Sequence, residues 1–326
     1  MGPAALRQVL DALPPVSDRR LLSPIHHADD AGAVRLGDGR VLLATTDFFT
    51  PVVDDPADYG RIAAANALSD IYAMGAEPMG ALNIACYPDR DFPLEYLIEV
   101  LQGGQEKMNE AGALLLGGHT VTDVEFKYGL AVFAICREEE LWQNTGAEPG
   151  DFIALTKPLG SGILATAQKA DDLSPEGLAR LVAVASRLNR YSAEIMRQFG
   201  PRAVTDVTGF GLTGHALEVA RNSQVRLEIS LDALPLISPE VLVAMDERLK
   251  PGGLFKNLEA YADEVTVREG APERLVHLAH DPQTSGGLLF FDAAPKWPDY
   301  ERAFAAAGET LWRIGEVTRG RGMYLK

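Results

Sequence analysis

The sequence predicts a two-domain α/β protein. Three observations carry that expectation. Apolar β runs alternate with helical stretches along the whole chain. A length of 326 residues, 47% hydrophobic and 23% charged, suffices for two sizeable cores. A turn-rich stretch, TGAEPGD (145–151), divides a strand-rich first part from a second part in which strands and helices alternate. We therefore expect an N-terminal arm and helix over residues 1–24, a first domain over 25–150 and a second over 151–326.

ALRQVLDAL near the N-terminus has an amphipathic helical pattern, closed by the pair Pro14-Pro15. VLLATT reads as a short strand; EPMGALNIAC and KYGLAVFAIC read as longer ones. Between them, DPADYGRIAAANALSDIYAMG has Asp55 placed to cap a helix and Gly75 to end it, and FPLEYLIEVLQGGQEKMNEAG follows the same logic. After FIALTK, the second half reads as one long helix (SPEGLARLVAVASRLNRYSAEIMRQFG), a strand (RAVTDV), a helix after GFGLTGH, a strand (VRLEIS), a helix (SPEVLVAMDERL), a strand (GGLLFF), a helix (WPDYERAFAAAG) and a final strand.

A formal charge of −16 argues against a nucleic-acid or anionic-membrane partner, because both demand a basic face. No apolar run is long enough for a membrane span, and MGPAALRQVLDALPP lacks the basic start and apolar core of a signal peptide, so a cytoplasmic location is expected. Cys86 and Cys136 end apolar runs and read as reduced core residues rather than a disulfide or zinc pair.

Chemistry concentrates in acidic segments: HHADDAGAV with Asp29 and Asp30, LLATTDFFTP with Asp47, NALSDIYAMG with Asp70 and, much later, TDVTGFGLTGH with Asp206. Two carboxylates about 5 Å apart repel by roughly 3 kcal/mol at an effective dielectric near 20, so a cluster beside apolar strands needs cations. Hard oxygen ligands select Mg²⁺ or Mn²⁺, and such ions in turn recruit polyphosphate. Ile62, Ala65, Asn66, Ser69 and Asp70 share one helix face, which puts Asp70 on the inward stripe. A backbone amide or a buried arginine such as Arg61 is the alternative partner for Asp70. Asp206 ends a β run; its alternative role is to cap the next helix.

Glycine-rich turns recur at LGSG (159–162), LLGGHT (115–120), TGFGLTGH (208–215), PGG (251–253) and TSGG (284–287). Glycine lets backbone amides approach an anion, although none of these segments is a Walker or dinucleotide motif. In LLLGGHT an apolar strand runs into Gly117, Gly118 and His119, which would place two amides and an imidazole at a strand end; a glycine turn with a surface histidine is the alternative. His215 reads as a capping or core residue, and His26, His277 and His280 read as loop or surface residues.

In order and spacing, DDAGAVRLGDG, TTDFFTPVVDDPADYGRIAAANALSDIYAMGAEPMGALN, AGALLLGGHT, LTKPLGSGIL, VTDVTGFGLTGH, PGGLFKN and DPQTSGGLL resemble selenophosphate synthetase (selenide, water dikinase), over about residues 17–326. Part of the layout is shared with aminoimidazole ribonucleotide synthetase and its relatives. The resemblance implies a homodimer whose N-terminal sheets pair into a β-barrel, each carrying a C-terminal α/β sandwich. It implies ATP and selenide as substrates, Mg²⁺ as cofactor, and selenophosphate, AMP and phosphate as products. Carried over by position, Asp30, Asp70 and Asp206 would hold Mg²⁺, and His27, Ala28, Asp29, Asp47, Asp70, Gly117, Gly118 and His119 would touch ATP.

Two departures follow. HHAD stands where the family often has Thr or Arg before the paired aspartates. The family's arm with Cys or selenocysteine and a nearby Lys would precede Met1, so no residue of this sequence is assigned as the selenium-handling group. We expect Met1 to be an internal methionine, with a selenocysteine upstream whose UGA codon was read as a stop, and the chain from Met1 alone to form little selenophosphate. An upstream sequence without such a codon would exclude this; a deliberate truncation and a paralogue that kept the nucleotide site but lost selenium chemistry are the alternatives.

Overall fold

The computed structural model describes residues 2–14, 16–23 and 29–326. A first helix, α1 (Pro3–Asp11), precedes a five-stranded sheet built from β1 (Gly32–Arg35), β2 (Arg40–Phe49), β3 (Pro78–Tyr87), β4 (Leu114–Thr122) and β5 (Lys127–Arg137). The strand order is β1-β2-β5-β3-β4, antiparallel except for the parallel β3/β4 pair, so β1 and β4 are the edges. Two helices, α2 (Pro56–Ala73) and α3 (Leu94–Ala111), pack together, and α2 lies against β2 and β5.

Alternation along β2 explains this one-sided layer. Val41 and Leu43 are fully buried beneath the helices, while Ala44, Thr46 and Phe48 point to the other face and are exposed. In α2, Asp55 caps the first turn by accepting from the Asp58 amide. From Ile62 to Ala73 every residue of α2 is buried, including Ala63, Ala64, Ala65 and Ala67, because small side chains let a second layer close over the helix. Gly60 makes the crossing with α3 possible: a Cβ there would meet the Val100 carbonyl oxygen at 2.0 Å.

The second sheet has the order β7-β10-β6-β11-β8-β12-β9, formed by β6 (Asp151–Leu155), β7 (Ala203–Asp206), β8 (Arg226–Ile229), β9 (Val265–Val267), β10 (Leu288–Ala293), β11 (Trp312–Thr318) and β12 (Gly322–Leu325). Its helices are α4 (Ser161–Lys169), α5 (Pro175–Ala185), α6 (Arg190–Met196), α7 (Gly211–Ser223), α8 (Glu240–Asp246), α9 (Gly252–Tyr261), α10 (Glu273–His280) and α11 (Trp297–Ala306). β6 is buried at every position, and Phe152, Phe290 and Tyr300 pack edge-on or tilted at 5.0–5.6 Å. α2 touches β7, α5 and α6, which brings the end of β7 over its C-terminal turns.

Four expectations are corrected. The long helix expected over 174–200 is two, α5 and α6, because the intervening Asn189 donates its side-chain amide to Ser69 Oγ (2.8 Å) and Gly286 O (2.9 Å). His277 and His280 are not surface residues: they lie on α10, 7% and 2% exposed, packed with α7 and α9. Cys86 and Cys136 are free but only half-buried, in strands covered on one face. Gly117, Gly118 and His119 sit inside β4 rather than at its end, on an exposed edge.

Candidate metal and nucleotide site

Three carboxylates from distant segments converge. Asp30 precedes β1, Asp70 lies in the last turn of α2 and Asp206 ends β7; each offers an oxygen, and these lie within 4.8 Å of one another. Asp70 faces inward, 8% exposed, as its place on the helix stripe requires, and Asp206 is 2% exposed. Arg61 is not the partner of Asp70: it pairs with Asp58 and Glu106 on the outside of α2. Nor does Asp206 cap α7, whose N-cap is Phe210, without a side-chain bond.

Neutral donors hold the cluster in place. The Thr45 hydroxyl donates to Asp70 and the Ser69 hydroxyl to Asp206, and Ser69 is itself held by Asn189. Thr205 Oγ1 (2.7 Å) and the Asp206 amide (3.2 Å) both donate to Asp30 Oδ1, while Asp30 Oδ2 is buried without a partner among the described residues. Asn66 donates to Asp47 at 2.6 Å and is fixed in turn by the Ser285 amide at 3.1 Å.

The electrostatics follow from this crowding. Burial first, then mutual repulsion, drives Asp30 and Asp70 far above the usual carboxylate range; burial also lifts Asp47 and brings Asp206 to about 6. At 4.8 Å and an effective dielectric near 20, each pair of charges repels by about 3 kcal/mol. A hard divalent cation with bonds of about 2.1 Å spaces its oxygens about 3 to 4 Å apart, so the all-oxygen donor set and the orphan Asp30 Oδ2 fit such an ion. Lys157 lies nearby, 3% exposed, donating to Ser285 O at 2.8 Å; burial lowers its ammonium to about 7 against the opposing pull of Asp206.

Asp47 and Asn66 also line a cavity of about 520 Å³ between the first domain and α4 with its neighbouring loops, whose far wall includes Gly162, Lys169, Thr208 and Thr284. Asp29 turns elsewhere, accepting from the Asn144 amide (3.2 Å) and from Gln143 (3.4 Å) on the segment between the sheets. His27 and Ala28 lie outside the described residues, as does His26. Gly117, Gly118 and His119 are not brought to the cluster within one chain: β4 stands three strands from β2, about 14 Å across the sheet.

Sequence reasoning missed Thr45, Asn66, Ser69, Asn189 and Lys157. Asn66 and Ser69 carried a usable signal, since they share the stripe with Asp70; Asn189 carried none.

Residues 28–136 match the N-terminal domain, and 148–326 the C-terminal domain, of the family described as AIR synthase related protein. A selenide, water dikinase of Geobacter metallireducens is 47% identical over 301 residues, covering 92% of this chain and 87% of that protein. One from Nitratidesulfovibrio vulgaris (strain Miyazaki F) is 43% identical, covering 98% of this chain and 92% of its own length. The chain belongs to the selenide, water dikinase family.

The family's wider fold is equally clear. A crystal structure of a Thermus thermophilus protein aligns with a TM-score of 0.74 at 25% identity, covering 99% of this chain and 96% of that one. AaThiL complexed with AMPPCP and TMP aligns at 0.70 and 18% identity over 99% of this chain and 93% of its own, a likeness of fold. Among the described residues no helix is long and apolar enough to cross a membrane.

Proposed function

We propose that Asp30, Asp70 and Asp206 form the metal-holding centre of an ATP-dependent phosphotransferase that makes selenophosphate from ATP, selenide and water, with AMP and phosphate as the other products. The enzyme class rests on family membership; the single observation that carries the site is the convergence of three buried or half-buried carboxylates, one with an orphan oxygen among the described residues, within 4.8 Å. Mg²⁺ bound there would neutralise the polyphosphate and stabilise charge developing on the transferred group. The chain's own residues orient: Thr45, Ser69 and Thr205 fix the carboxylates, and the cavity beside Asp47 offers an open cleft for a polyphosphate.

The remaining assignments belong to the same reading. Asp29, Asp47, Gly117, Gly118 and His119, together with His27 and Ala28, would contact ATP. Residues 25–150 would bind nucleotide and pair two chains, and 151–326 would supply Asp206. The bare face and edge of the first sheet support a homodimer: Phe48, Leu114, Leu116, Val121 and Ile135 are 38–65% exposed, an apolar surface that costs free energy in water. On this reading Gly117–His119 reach a nucleotide only on a neighbouring chain.

Phosphorus NMR under anaerobic, reducing conditions tests the function, using the protein as isolated from its source organism. A selenophosphate signal with AMP and phosphate is expected. ATP binding without AMP would instead favour a nucleotide-binding regulatory relative.

A further inference from the structure

The motif TGFGLTGH places a polar relay behind the cavity wall. Thr208 lines the cavity that Asp47 and Asn66 line from the other side. Its backbone is pinned, its carbonyl accepting from Gly211 N (3.0 Å) and Gln283 N (2.9 Å), and Asn257 holds the next carbonyl at 3.1 Å. The Thr208 hydroxyl is hydrogen-bonded to His215 Nε2 at 3.2 Å. His215 is 7% exposed on α7, its ring stacked on Phe210 at 5.7 Å, and its other nitrogen, Nδ1, faces Glu218 Oε2 at 3.7 Å.

We propose that Thr208 is a further contact for the anionic phosphate groups held in this cavity, its hydroxyl turned as a donor by His215, whose tautomer is set by Glu218. The inference rests on the reading of the cavity as a phosphate site.

Hydrogen-bond polarity carries the argument. A neutral imidazole has one N–H and one acceptor nitrogen. Burial lowers His215 to about 4, so it is neutral at pH 7, and burial lifts Glu218 to about 8, so its carboxyl keeps its proton. At 3.7 Å the Glu218 carboxyl is too far from Nδ1 for a hydrogen bond, but the dipole of a protonated O–H facing Nδ1 still favours the tautomer in which Nδ1 is bare and Nε2 bears the hydrogen. Nε2–H then donates to Thr208 Oγ1, which leaves the threonine hydrogen to point into the cavity. A donor there suits an anion; the opposite tautomer would spend that hydrogen on the imidazole and present only lone pairs, which repel phosphate. His215 and Glu218 are thus positioning residues, and Thr208 is the group that touches ligand.

The test combines binding and spectroscopy. ¹⁵N NMR of the ligand-free protein should find His215 protonated at Nε2; protonation at Nδ1 overturns the polarity. Binding of a non-hydrolysable ATP analogue with Mg²⁺ is then measured for wild type, T208V, T208S, E218Q, E218L and D206N. Losing a hydrogen bond to a charged group should weaken T208V about 10- to 100-fold. T208S should regain most of that loss, and E218Q, whose amide keeps a donor facing Nδ1, should bind more tightly than E218L. Wild-type affinity in T208V, while D206N fails to bind, overturns the relay and leaves the site reading intact. Wild type that binds no nucleotide overturns both.

Discussion

The carboxylate cluster and the β4 edge are two parts of the described chain that one copy leaves unfinished, and they are unfinished for opposite reasons. Around Asp30, Asp70 and Asp206 the packing is closed and the charges are in excess. Along β4 the polar accounting is ordinary, but Leu114 and Leu116 stand 65% and 58% exposed with one whole face of the sheet uncovered. On the proposed reading the first deficit, which is electrostatic, would be met by a cation, and the second, which is apolar area, by another protein surface. The two can therefore be broken separately.

The largest expected effect is on the cluster. D30N, D70N and D206N should each abolish ATP consumption in a coupled assay, although each keeps the shape of its side chain. Near-normal turnover in all three would refute the metal assignment.

A second prediction concerns stability. Because burial raises Asp206 to about 6, the folded state holds its proton more tightly than the unfolded state does. Without metal, that contribution is present below pH 4 and is lost as pH rises through 6, by an amount on the order of 3 kcal/mol. Chemical denaturation in EDTA should find D206N more stable than wild type at pH 7.5 and not at pH 4, and saturating Mg²⁺ should reverse the order at pH 7.5. A wild-type advantage at pH 7.5 in EDTA would contradict the picture of an uncompensated cluster.

Third, charge on the edge should separate association from folding. L116K should shift sedimentation toward the monomer and weaken ATP binding, while the denaturation of the separated chains changes by about 0.5 kcal/mol or less, as for other surface substitutions. Unchanged sedimentation would remove β4 from the interface. The smallest effect is expected for H119A, a rise in KM for ATP with kcat nearly kept. Mixing H119A with D206N chains should yield a population of sites with the wild-type KM for ATP, because one of the two mixed sites then receives neither defect; a KM that stays at the H119A value would place Gly117–His119 outside a shared site.

How much of this was legible in the sequence differs between the same two regions. Asp70 was legible because helical spacing alone puts it beside Ile62 and Asn66, and Asp206 because a β run ends on it. The partners of those carboxylates were not. Asn189 interrupts a good helical pattern to reach Ser69, 120 residues away in sequence, and nothing local records that. His277 and His280 misled for a related reason: α10 is a short helix whose burial is imposed by α7 and α9. On β4, glycines in an apolar run resemble a strand end, whereas Gly117 simply takes a φ of +135° within the strand, at a bulge where β4 spends one residue more than β3. Local pattern identified the residues that carry charge; the contacts that hold them depend on the fold.

The central claim is that Asp30, Asp70 and Asp206 jointly hold a divalent cation with the nucleotide. Electron paramagnetic resonance of Mn²⁺ titrated into the protein with a non-hydrolysable ATP analogue measures this without requiring turnover. The account predicts tight uptake by wild type and a large loss of uptake in each of D30N, D70N and D206N; uptake unchanged in all three would contradict it.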